Sequence, residues 1–248
     1  MLKIGLAWKR NAFKKTVPGL DMVSNIHRST QEKTSVIIFL KAPIKGFVKT
    51  RLACKIGDEA ALRIYRRFVV NTLEMLAQTG HTVRAYSYPA SEKEKAQELL
   101  GHHIPLFPQK GNHLGERMKN AINDTFTEGF DKAILIGTDI PDLNSDIIND
   151  AVIGLNEYPA VIGPSMDGGY YLIGFNPSGF LPDVFNNMPW GTNEVFSKTT
   201  NYFAERNIRI RILTECRDID TYEDLNEFLF DKKSAANDYH DILAKFLK

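Results

Sequence analysis

Lys45, Lys49 and Arg51 place three cations within seven residues, around Gly46. A guanidinium offers a planar fork to phosphate and an ammonium offers a point charge. A glycine lets backbone approach a ligand closely. The segment from Lys41 through Pro43 and Gly46 to Leu52 therefore has the chemistry of a cradle for a polyphosphate. It is not a P-loop, because the Gly-x-x-x-x-Gly-Lys-[Ser/Thr] spacing is absent. Read alone, it is equally a solvated basic loop.

Acids follow three other apolar runs. Asp139 ends the run from Ala133 to Gly137, and Pro141 fixes the chain's exit. Carboxylate oxygen is the hard ligand that Mg²⁺ or Mn²⁺ prefers, so Asp139 reads as a metal ligand; its other reading is a turn cap, a task open also to Asp142 and Asn144. Asp167, Gly168 and Gly169 lie between two apolar runs and spell a hairpin turn. The loop nevertheless opens on Gly-Pro and closes on Tyr170-Tyr171, and its glycines would admit a phosphate or sugar. Asp167 there could bind a substrate hydroxyl, act as a base or touch a metal. Asp218 and Asp220 precede the last apolar pattern but one. Capping by Asp220 or Thr221 explains one of the two acids, and a second metal ligand would explain the other.

Two lesser loops complete the set. Gln109, Gly111 and Gly115 open a helix whose backbone amides would be free to hold a base or phosphate. Trp190 precedes another helix, where it stacks on a sugar or base or else fills core. The six histidines show no paired spacing, and no serine or cysteine sits in a nucleophile elbow.

The elements that must carry these residues alternate. Short apolar, β-branched runs at 35–41, 82–88, 104–107, 133–137, 160–163, 170–174 and 209–213 read as strands. Helical periodicity marks 58–78, 91–100, 113–127, 145–156, 191–206, 222–229 and 238–246. Strands alternating with helices predict a mostly parallel sheet covered on both faces, a single α/β domain over 34–248. In such sheets ligands gather beyond the carboxyl ends of the strands, which is where the loaded loops fall. Residues 1–33 hold seven Lys or Arg against Asp21 and Glu32 and read as a basic N-terminal extension.

Composition narrows the class. A formal net charge of +1 gives no argument for a nucleic-acid partner or a membrane surface. No apolar run is long enough to span a bilayer, and the first residues lack the order of a secretory signal. Two cysteines, Cys54 and Cys216, without metal-ligand spacing suit free thiols in a reducing compartment. The expectation is a cytoplasmic protein.

Taken in order, the motifs K-A-P-x-x-G-x-x-K-T-R-L, L-G-E-R-M, G-T-D-I-P-D-L, G-P-S-x-D-G-G-Y-Y-L-I-G and D-I-D-T-x-E-D-L resemble the DUF2064 family over about residues 35–230. That resemblance implies a GT-A fold, a Rossmann-like three-layer α/β/α sandwich of the nucleotide-diphospho-sugar transferase type. More distantly the pattern is similar to the GT-A nucleotidyltransferases, 2-phospholactate guanylyltransferase in particular. By that likeness Lys49 and Arg51 would hold nucleotide phosphates; Lys41, Pro43, Gly46, Gln109 and Gly115 read as further nucleotide-binding residues. Asp139 would hold Mg²⁺ or Mn²⁺ with help from Asp220. Asp167, Gly168, Gly169, Tyr170 and Trp190 would meet the second substrate. The chain departs from the sugar-nucleotidyltransferase pattern in carrying Ala42-Pro43 where a Gly-Gly pair usually stands. The implied activity is metal-dependent transfer from a nucleotide or nucleotide sugar: nucleotidyl transfer to a small phosphorylated acceptor, or alternatively glycosyl transfer. A nucleotide-binding module without catalysis is the third reading.

Overall fold

A computed structural model describes residues 32–231 and 237–246, so the basic segment expected at 1–33 lies almost wholly outside the described residues. Seven strands form one sheet: β1 (Thr34–Lys41), β2 (Thr82–Tyr88), β3 (Leu106–Pro108), β4 (Lys132–Ile136), β5 (Ala160–Pro164), β6 (Tyr170–Phe175) and β7 (Arg211–Ile212). Their order is β3-β2-β1-β4-β6-β5-β7. Neighbours run parallel except at β6, which is antiparallel to both β4 and β5. The helices are α1 (Thr50–Ile56), α2 (Asp58–Ala77), α3 (Lys93–Leu100), α4 (Leu114–Thr127), α5 (Ser145–Glu157), α6 (Val195–Ala204), α7 (Tyr222–Asp231) and α8 (Asn237–Phe246).

The central strands are apolar on both sides because both sides are covered. Val36, Ile38 and Leu40 of β1 join Ile134 and Ile136 of β4 in a core shared with α2, α3 and α5. Ile37 and Leu135 point the other way, into a core shared with α4, α6 and Phe175. A third cluster joins α1 and α2 to α7 and α8 through Leu52, Ile64, Phe68, Leu225, Phe228 and Tyr239. This is the three-layer arrangement expected from the alternation of strands and helices.

Three boundaries differ from expectation. The basic segment is not all loop, because Thr50 to Ile56 form α1, stopped by Gly57 at φ 81°. Helix α6 begins at Val195 rather than at 191 because a turn around Gly191 and Thr192 occupies the intervening residues. The final strand is only two residues long. Among the described residues, no helix is long and apolar enough to cross a membrane.

Candidate active site

Parallel pairing brings the carboxyl ends of β1, β2, β4 and β5 to one rim, and the antiparallel β6 starts there too. The loops after β1, β4, β5 and β7 therefore meet. Lys49 stands at the mouth of α1 with φ 49° and ψ 44°, a left-handed conformation that a lysine rarely adopts. Its side chain, 3% exposed, turns inward. Its ammonium lies 2.9 Å from Asp139 Oδ1 and 2.9 Å from Asp220 Oδ1, and it donates to Ile219 O at 2.6 Å. Ile219 N in turn donates to Asp139 O at 3.0 Å, which ties the loop after β7 to the end of β4. Burial works against the charge on Lys49, but Asp139 and then Asp220 outweigh it, so its pKa lies above that of an ordinary lysine.

Capping does not occupy either acid. Asn144 caps α5 by accepting from Ile147 N at 3.1 Å. Thr221 and Asp224 form a reciprocal pair at the start of α7: Thr221 Oγ1 accepts from Asp224 N, and Asp224 Oδ2 accepts from Thr221 N. The Asp139 and Asp220 side chains, each 42% exposed, are left facing the cleft. Asp218 stands beside them; burial, then the charges of Asp167 and Asp220, push its carboxyl up to about 6.

Two cavities share Asp139 and Asp220 as a common wall. The smaller, about 180 Å³, is lined by Lys41, Lys49, Thr50, Arg51 and Tyr65. Arg51 is 71% exposed, with Nη1 3.9 Å from Asp220 Oδ2, so its fork is open to solvent. Tyr65 was not expected here, since a tyrosine in the apolar stripe of a helix reads as core. Its hydroxyl donates to Lys41 O and accepts from Lys41 N, both at 2.8 Å. Burial and the nearby Asp139 charge raise its pKa.

The larger cavity, about 340 Å³, is lined by Phe39, Asp167, Gly169, Tyr170, Trp190 and Asp218 among others. Asp167 Oδ1 accepts from Ser165 Oγ at 2.5 Å and from Gly169 N at 2.8 Å. The Asp-Gly-Gly segment is thus both a hairpin turn and a cavity wall. Trp190 meets Tyr170 edge-on, ring centroids 6.3 Å apart.

Several expected residues lie outside both cavities. Pro43 is buried. Gly46, at φ 74°, makes a turn beside Asp58. Gln109 Nε2 donates to Leu40 O and Tyr86 O, clamping β1 to β2. Gly168 abuts the Asn193 backbone, which a Cβ would meet at 2.3 Å. At Gly115 a Cβ would lie 2.6 Å from Phe185 O and 2.7 Å from the Trp190 ring, so this glycine makes room for the indole. Gly115→Ala is accordingly expected to cost roughly 1–3 kcal/mol in a urea melt by overpacking. The same change should shift the emission of Trp190, whose ring it displaces.

A divalent cation suits the donor chemistry of the rim. Asp139 and Asp220 offer hard oxygens, and Asp139 Oδ1 is buried with no aligned hydrogen-bond donor, its charge met by the Lys49 ammonium. Among the described residues, no three His, Cys, Asp or Glu side chains form a complete ligand set. A two-carboxylate site of this kind would be completed by substrate phosphates, which is usual for Mg²⁺.

The DUF2064 family, described as an uncharacterized protein conserved in bacteria, matches residues 72–192. No curated protein matches the sequence. A crystal structure from Desulfovibrio desulfuricans G20, provisionally assigned as a nucleotide-diphospho-sugar transferase, is 33% identical, covers 87% of this chain and 98% of its own, and has a TM-score of 0.81. Two more distant structures share the fold. CMP:2-keto-3-deoxy-manno-octonic acid synthetase complexed with CTP is 11% identical with a TM-score of 0.53, covering 82% of this chain and all of its own. Rv0371C from Mycobacterium tuberculosis H37Rv, in complex with manganese, is 11% identical with a TM-score of 0.52, covering 80% and 98%.

Proposed function

This chain belongs to the DUF2064 family of nucleotide-diphospho-sugar transferase fold, and from that premise we propose that it is a metal-dependent transferase acting on a nucleotide substrate. The observation that carries the reading is the meeting of the Lys49–Arg51 segment with Asp139 and Asp220 between two cavities at one rim of the sheet. The small cationic cavity suits the phosphates, with Arg51 as a fork and Lys49 as a point charge. Asp139 and Asp220 would hold Mg²⁺ or Mn²⁺, which would neutralise phosphate charge.

In the nucleotidyl version, an oxygen of a small phosphorylated acceptor attacks the α-phosphorus of a nucleoside triphosphate. The bond to the bridging oxygen breaks and pyrophosphate leaves. Lys49 and Arg51 oppose the charge that grows on the departing group, so no enzyme nucleophile is required. Structures of the same fold, one complexed with CTP and one named as a cytidylyltransferase, support this version.

The lining of the larger cavity favours a second version. It presents Asp139, Asp167, Asp218 and Asp220 beside Tyr170 and Trp190, and neither lysine nor arginine is among its lining residues. Carboxylates and aromatic faces suit a neutral hydroxyl-bearing acceptor better than a phosphate. In a glycosyl transfer, Asp167 would take the acceptor hydroxyl's proton as that oxygen bonds to the sugar's anomeric carbon, the bond from that carbon to the diphosphate breaks, and the nucleoside diphosphate leaves. Incubation with Mg²⁺ or Mn²⁺ and panels of nucleoside triphosphates and nucleotide sugars separates the versions. Pyrophosphate release marks the first and nucleoside diphosphate release the second. Neither product, with nucleotide bound, would replace both by a non-catalytic binding module.

A further inference from the structure

We infer that Lys49 is a resident counter-cation that keeps the Asp139–Asp220 pair from holding a divalent metal until a nucleotide is present. The inference rests on the reading of those two acids as metal ligands. Its basis is geometric. The ammonium makes three oxygen contacts at 2.6–2.9 Å, to Ile219 O, Asp139 Oδ1 and Asp220 Oδ1. It approaches from the protein side, backed by the Phe68 ring with its centroid 5.6 Å away, while both carboxylates stay open toward the cleft.

A metal entering from the cleft would find the charge of these two acids already half neutralised by one ammonium. Their Oδ1 atoms face the ammonium, and like charges a few ångströms apart repel strongly where water is scarce. The pair also falls short of a complete ligand set, since no third His, Cys, Asp or Glu joins it among the described residues. Phosphate oxygens supply what is missing: further ligands for the metal, and negative charge for the ammonium. Metal affinity without nucleotide should therefore be weak, and the positive charge at position 49 should be the cause.

The test is Mn²⁺ binding to the full chain without nucleotide, followed by calorimetry or by the free-Mn²⁺ electron paramagnetic resonance signal. Wild type should bind weakly. Lys49→Met should bind at least about tenfold more tightly, and its melting temperature should rise with Mn²⁺ where that of the wild type barely moves. Lys49→Arg, which keeps the charge, should bind as weakly as wild type. Adding Asp139→Asn to Lys49→Met should abolish the gain. Equal affinity in wild type and Lys49→Met would overturn the inference while leaving the metal reading intact. No Mn²⁺ binding by either protein, with or without a nucleoside triphosphate, would overturn both. If Lys49→Met does not fold, Lys49→Gln repeats the comparison, because it is neutral but keeps an N–H donor for Ile219 O.

Discussion

Asp139→Asn is expected to lower turnover by about two to three orders of magnitude, because it weakens the hold on the cation that would oppose the developing phosphate charge, a loss on the scale of one missing transition-state contact. The substitution is nearly isosteric and leaves the backbone alone, so Asp139 O can still accept from Ile219 N and hold the two loops together. Lys49 keeps Asp220 and Ile219 O as partners. The residual structural cost is therefore small, on the order of 1–2 kcal/mol, which for a chain of this size lowers the melting temperature by only a few degrees. Activity and melting must be measured on the same preparation, with whichever nucleotide supports turnover. Turnover within tenfold of wild type would remove Asp139 from the chemistry. A collapse of the melt would make it a structural acid.

The separation between those outcomes depends on which features local sequence can encode. Strands β1 and β4 were legible because a strand buried on both faces is apolar at every position, and Val36–Leu40 and Ala133–Ile136 satisfy that over short windows. The loaded loops were legible as well, since a strand's carboxyl end is a topological address. The burial of Lys49 was not. A lysine between Lys45 and Arg51 reads as solvated, and the groups that draw it inward belong to loops far along the chain, Asp220 being 171 residues away. Tyr65 escaped for a similar reason: its helical spacing says core, while its hydroxyl serves Lys41. Gly115 and Gln109 carry structural contacts that their local sequence does not announce. A glycine or glutamine before a helix suggests a ligand, while Gly115 accommodates Trp190 and Gln109 binds strand carbonyls. Such non-local partners are invisible to any window along the sequence.

Phe68→Ala should produce the largest loss of stability, about 3–5 kcal/mol, from removal of a buried aromatic ring and the void it leaves. The ring is 1% exposed and sits where α2 receives α7 and α8. Its centroid is 5.4 Å from that of Tyr239, whose own ring meets Phe228 edge-on. The same ring lies behind the Lys49 ammonium, a contact worth about 2 kcal/mol when desolvated. Phe68→Leu separates the two contributions, because it retains most of the volume but no π face. It should cost less than the alanine variant by well over 1 kcal/mol while still losing the cation contact. Urea unfolding gives both values, and the midpoint of the alanine variant should fall without a change in slope if the unit unfolds as one. A cost under 1 kcal/mol for Phe68→Ala would mean that α7 and α8 separate from the sheet before it melts. The loop carrying Asp220, which leads into α7, would then be held to the rim by Lys49 and the Ile219–Asp139 bond rather than by the core beneath it.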